Sequence, residues 1–106
     1  SGGGPILHPS MDAIALVPMH PHTLSSRQIV VGGQSEIKIE VRENRVMPMV
    51  SADGQQSVSL GVGDTLHIRK HPYKLNLLHP PGYDFYMACR TKLGWNQGFE
   101  SLQQQD

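Results

Sequence analysis

The clearest signal along the chain is a period of two. In Ser35-Glu-Ile-Lys-Ile-Glu-Val-Arg42, Ile37, Ile39 and Val41 alternate with Glu36, Lys38, Glu40 and Arg42. Successive side chains of a strand point to opposite faces, so this spacing predicts one face on a core and one in water. Ala13 to Met19 is a continuous apolar run that suits a buried strand. Arg27-Gln-Ile-Val-Val31 is a short β-branched run closed by Gly32-Gly33, a hairpin-type turn. Glu43-Asn44 turns the chain into Val46-Met-Pro-Met-Val50, where Pro48 marks an edge or a bulge because it lacks an N–H to donate. Asp53-Gly54 and Gly61-Val-Gly-Asp64 read as two further turns. Thr65-Leu-His-Ile-Arg69 and Tyr73-Lys-Leu-Asn-Leu-Leu78 are expected to pair with each other around His71-Pro72.

The period changes only after His79-Pro80-Pro81-Gly82. Phe85, Cys89 and Leu93 recur every four residues, which predicts a short amphipathic helix over about Tyr83 to Leu93. Tyr83, Phe85 and Tyr86 are read as packing beneath it. The glycines and prolines of residues 1–10 predict a tight loop, and residues 96–106 read as a disordered tail of low apolar content. The predicted class is mainly β, a sandwich-like stack with one short C-terminal helix. Residues 1–95 are expected to form a single domain.

Charge narrows the partners. Nine Lys and Arg balance nine Asp and Glu, so the formal net charge is zero with the histidines neutral. Nucleic acid and anionic membranes demand a basic excess, and neither is expected as a partner. Neutrality opposes self-association little, which favours a homo-oligomer. The lone Cys89 cannot close an internal disulfide and suits a reducing compartment. The sequence has neither an apolar run of about 18 residues nor a secretion signal pattern, so a cytoplasmic location is expected.

Candidate chemistry gathers in two places. After the apolar run, Pro18 and Pro21 end sheet pairing, and His20, His22, Thr23, Ser25, Ser26 and Arg27 follow in a rigid, polar elbow. His20 and His22 share a face of extended backbone, but a zinc site needs two further ligands and His8, His67, His71 and His79 are scattered, so no metal site is expected. The two rings are either hydrogen-bonded within the loop or in contact with a ligand. Ser25 and Ser26 lack the glycine-flanked elbow of a hydrolase nucleophile. No Gly-x-Gly-x-x-Gly follows a strand, and no Walker-type Gly-Lys-Ser/Thr is present, so the chain offers no phosphate cradle. Asp53, Gly54 and Gln55 form either a plain turn or a compact hydrogen-bonding set for an adenine or carboxamide edge. From the residues alone, a free-standing β module binding a ligand or metal, and a structural oligomerisation module, both remain open.

Five segments in fixed order carry a resemblance to a known family. They are Gly3-Gly-Pro-Ile-Leu-His-Pro9, Leu16-Val-Pro-Met-His-Pro-His-Thr-Leu-Ser25, Asp53-Gly-Gln55, Asn76-Leu-Leu-His-Pro80 and Lys92-Leu-Gly-Trp95. Together they resemble the C-terminal domain of bacterial NAD kinases. The resemblance implies a two-domain homo-oligomer, a dimer or tetramer. Such an enzyme moves a phosphate from ATP or polyphosphate to the adenosine ribose 2′-hydroxyl of NAD, with magnesium or another divalent cation. It implies NAD contacts at Gln55, with Asp53 and Gly54 beside it, and at His20 and His22. The family's Gly-Gly-Asp-Gly motif is absent from this sequence. The resemblance therefore assigns no catalytic residue to the chain, implies a partner in an N-terminal kinase domain, and implies that the chain alone is inactive.

Overall fold

The computed structural model describes residues 3–19, 27–43 and 46–95. Among the described residues six short strands pair two by two, each pairing antiparallel. The strands β1 (Ala13–Leu16) and β2 (Ile29–Gly32) run from Ala13 opposite Gly32 to Leu16 opposite Ile29. The third strand, β3 (Ile37–Glu40), pairs with the last, β6 (Thr65–Ile68), while β4 (Met49–Ala52) and β5 (Gln56–Ser59) form a hairpin. One helix follows, α1 (Phe85–Leu93). The architecture is mainly β with one short helix, as the two periodicities predict.

The alternation in β3 explains its choice of partner. Ile37 lies opposite Ile68 and Ile39 opposite Leu66, so apolar side chains meet on one face. Lys38 lies opposite His67 on the other. The turn before β6 holds this register. Gly61 N donates to Asp64 Oδ2 at 2.7 Å, Asp64 N donates to Gly61 O at 3.1 Å, and Val41 N donates to Asp64 O at 2.9 Å. Val41, just past β3, is 8% exposed, and among the described apolar side chains it alone is buried. An ion pair between Asp12 and Lys70 joins the entry to β1 with the exit from β6. Both side chains are more than a third exposed, so the pair contributes less than about 1 kcal/mol.

The chain divides after Pro72 into two compact units, Ser1–Pro72 and Tyr73–Asp106. In the second unit, Asp84 caps the helix, its Oδ1 accepting from Tyr86 N at 2.9 Å and Met87 N at 3.3 Å. Gly94 closes it in a left-handed conformation, with Arg90 and Lys92 in the last turn where the helix dipole favours cations. Before it, the His79 and Tyr83 rings stack at 3.8 Å, and Tyr83 N donates to Pro80 O at 3.3 Å.

Three expectations are corrected. Residues 73–78 form no strand, and Thr65–Ile68 pairs with β3 instead, because the Gly61–Asp64 turn ties β6 to the end of β3 while Pro72 supplies no donor. The turn after Gly32 is no hairpin: β2 pairs back to β1, and Ser35 N donating to Gly32 O at 3.0 Å leads the chain into another ladder. Pro48, by contrast, sits where an edge is expected: it directly precedes β4, a strand of a two-stranded sheet, and its carbonyl accepts from Leu60 N at 2.8 Å. Tyr83 and Tyr86 are about half exposed, so they do not pack beneath the helix, whereas Phe85 is half-buried and meets Tyr86 edge to face. Residues 96–106, read as a tail, and Asn44 lie outside the described residues.

Candidate functional site

The β4–β5 hairpin builds the better defined of the two predicted polar sets. Ala52 pairs with Gln56 across the ladder, leaving Asp53, Gly54 and Gln55 as its tip. Gln55 N donates to Ala52 O at 3.0 Å, which closes a tight turn. Its two central residues, Asp53 at φ 50° and Gly54 at φ 71°, are both left-handed, as a type I′ turn requires. Asp is among the few side chains that tolerate this region, because its short polar group can bond locally, and Gly enters it at no steric cost. The Asp-Gly order is therefore what the backbone needs.

All three tip residues are exposed. The Gln55 side chain makes no hydrogen bond to another described residue, so its amide keeps both a donor and an acceptor for a ligand edge. A neutral amide beside a carboxylate suits a base or carboxamide edge better than a phosphate, which the carboxylate would repel.

The second polar set is the elbow after β1. His20 and His22 lie outside the described residues, as do Thr23, Ser25 and Ser26. The chain on either side of the elbow is held by the N-terminal loop. Gln28 Nε2 donates to Gly3 O at 2.8 Å. Gly4 lies so close to β1's exit that a Cβ there would stand 2.7 Å from Val17 Cγ2. Gly3 and Gly4 thus bring the backbone of this loop close to both the exit of β1 and the entry to β2, the approach to a neighbouring element that consecutive glycines allow. Farther along the loop, Ser10 Oγ and His8 Nδ1 lie 2.7 Å apart.

Two features escaped sequence reasoning. Asp12 and Lys70 are 58 positions apart, and only tertiary pairing brings them into contact. A cleft of about 440 Å³ opens at the Ile37–Ile68 end of the β3–β6 ladder, lined by Glu36, Ile37, His67, Ile68 and Arg69. Each strand's alternation was visible, yet the register that sets His67 against Lys38 was not.

The fold is a mainly β domain whose exposed β4–β5 turn displays polar groups. Residues 1–80 match the model of the ATP-NAD kinase C-terminal domain. An NAD kinase of Acinetobacter baylyi is 85% identical over all 106 residues, which cover 34% of that protein. NAD kinases of Psychrobacter arcticus and Alcanivorax borkumensis are 72% identical over 97 residues and 58% identical over 96. Each alignment covers 91% of this chain, and 30% and 32% of those two proteins respectively. The chain belongs to the ATP-NAD kinase C-terminal domain family and spans about a third of the length of the relatives it matches.

Proposed function

We propose that this chain is the dinucleotide-binding part of an NAD kinase, which phosphorylates the adenosine ribose 2′-hydroxyl of NAD to give NADP. The observation that carries the reading is the family match together with a tip whose amide is exposed and unspent. In this reading Gln55 hydrogen-bonds the dinucleotide, Asp53 and Gly54 set its position, and His20 and His22 reach the nicotinamide end. Residues 1–95 act as one functional domain, the complete enzyme works as a cytoplasmic homo-oligomer, and ATP or polyphosphate supplies the phosphate.

Phosphoryl transfer rests on positioning, on charge neutralisation and on a group that orients the attacking hydroxyl. This chain's share is positioning. Among the described residues no three His, Cys, Asp or Glu side chains gather to hold a cation. The divalent cation of the reaction is therefore not assigned to them, nor is any chemical step.

The test is a hybrid in which residues 1–106 replace the matching third of the Acinetobacter baylyi NAD kinase. The hybrid should form NADP from NAD and ATP, while this chain alone should form none. Kinase-like turnover by the isolated chain would overturn the division of labour proposed.

A further inference from the structure

The tip of the β4–β5 hairpin is a reactive pair as well as a turn. Gly54 follows Asp53, and no other Asp or Asn in the sequence precedes a glycine. Among the described non-glycine residues Asp53 alone has a positive φ. Its side chain is exposed and forms no hydrogen bond or ion pair with another described residue. The other described aspartates are held, Asp12 by Lys70, Asp64 by Gly61 N, and Asp84 by Tyr86 N and Met87 N. They also precede Ala13, Thr65 and Phe85, whose side chains crowd the following amide.

An exposed aspartyl carboxyl followed by an amide that carries no neighbouring Cβ is open to cyclisation onto the backbone. Gly54 N attacks Asp53 Cγ, an N–C bond forms, a C–O bond breaks, and the N–H proton leaves with the carboxyl OH as water. The product is a five-membered succinimide. Water then adds to one of its two carbonyls. Opening at Cγ restores aspartate, whereas opening at the backbone carbonyl leaves the chain running through the side chain as isoaspartate. One water leaves and one returns, so no co-reactant is consumed.

The turn gates this step. The first central residue of a type I′ turn has ψ of about +30°, which sets Gly54 N nearly opposite Asp53 Cβ across the Cα–C bond. Ring closure needs the two on the same side, so the turn must open and Gln55 N must release Ala52 O. Opening is easy here. The strands β4 and β5 form a two-stranded ladder of four residues each, exposed at every position but Val50.

We propose that Asp53-Gly54 is a backbone modification site, at which Asp53 converts through a succinimide to isoaspartate when the hairpin tip opens. The product adds one methylene to the main chain between Asp53 and Gly54. A two-residue turn has no room for it, so Gln55 is displaced. Given the reading above that Gln55 bonds the dinucleotide, the modified tip loses affinity for NAD.

The test is to age the Acinetobacter hybrid, folded and in urea, and to locate isoaspartate by methyltransferase labelling and peptide mass spectrometry. Expected in the folded protein is label at Asp53 and none at Asp12, Asp64 or Asp84. In urea, where no turn gates the step, label at Asp53 should accumulate at least about fivefold faster. Asp53→Glu, which keeps the carboxylate but closes only a six-membered ring, should abolish the label at this position. Asp53→Asn should raise it severalfold, because an amide is attacked more readily than a carboxylate. Absence of label at Asp53, label at the other three as fast as at Asp53, or an equal rate in urea overturns the proposal. NAD affinity of the aged hybrid separates the two readings: label with affinity unchanged sinks only the role of Gln55, and weakened affinity without label sinks only the isomerisation.

Discussion

Replacing Gly54 with alanine isolates the contribution of backbone conformation to the candidate site. Gly54 sits at φ 71°, and no atom lies within 4 Å of where a Cβ would stand. Steric collision with neighbours is therefore absent, and the cost is the left-handed conformation itself, about 1–2 kcal/mol for an ordinary L-residue. Asp53, already left-handed at φ 50°, cannot relieve it by changing places. The reporter is the Gln55 amide, whose 3.0 Å bond to Ala52 O closes the turn. At about 1.4 kcal/mol per factor of ten, its exchange should quicken roughly five- to thirtyfold in Gly54→Ala. Gly54→Asn should fall between Ala and the wild type, since Asn enters this region more readily. Equal damage from Ala and Asn would mean that side-chain bulk matters, against the open space seen there. No effect from either would mean that the Ala52–Gln55 bond does not report the turn.

In the hybrid enzyme, Gln55→Ala should weaken NAD binding about fivefold, the equivalent of one amide hydrogen bond of about 1 kcal/mol, with thermal stability unchanged; calorimetry measures both. Unchanged affinity would place the ligand elsewhere. Asp84→Ala removes the acceptor for Tyr86 N and Met87 N, and should lower the local stability of α1 by about 1 kcal/mol, read from amide exchange across Met87 to Arg90. Gly33→Ala would drive a Cβ into the Asp12 carboxylate, displacing it from Lys70. Gly33→Ala and Lys70→Ala should each cost under about 1 kcal/mol in denaturant unfolding, and the double variant should cost less than their sum because both act on one carboxylate.

Local rules carried the reading of individual elements a long way. The Ile37–Ile39–Val41 alternation, the Asp53-Gly54 turn, the Gly61–Asp64 turn and the helix from Phe85 all follow from forces within a few residues: pleat, positive φ, capping and period. The tip residues of the candidate site were legible for the same reason, since an Asp-Gly pair is both a backbone requirement and a display of polar groups.

Pairing was another matter. Thr65–Ile68 and residues 73–78 both read as strands, and neighbours in sequence are natural partners. The fold joined β6 to β3 across a gap of more than twenty residues instead, because the Asp64 turn and the apolar face of β3 together outweigh a proline-broken connection. Strand propensity is a property of a segment, whereas register and partner are properties of two segments and of the hydrogen bonds between them. For the same reason the sequence showed that Leu75, Leu77 and Leu78 suit a strand, and only the tertiary structure showed that this chain leaves them exposed.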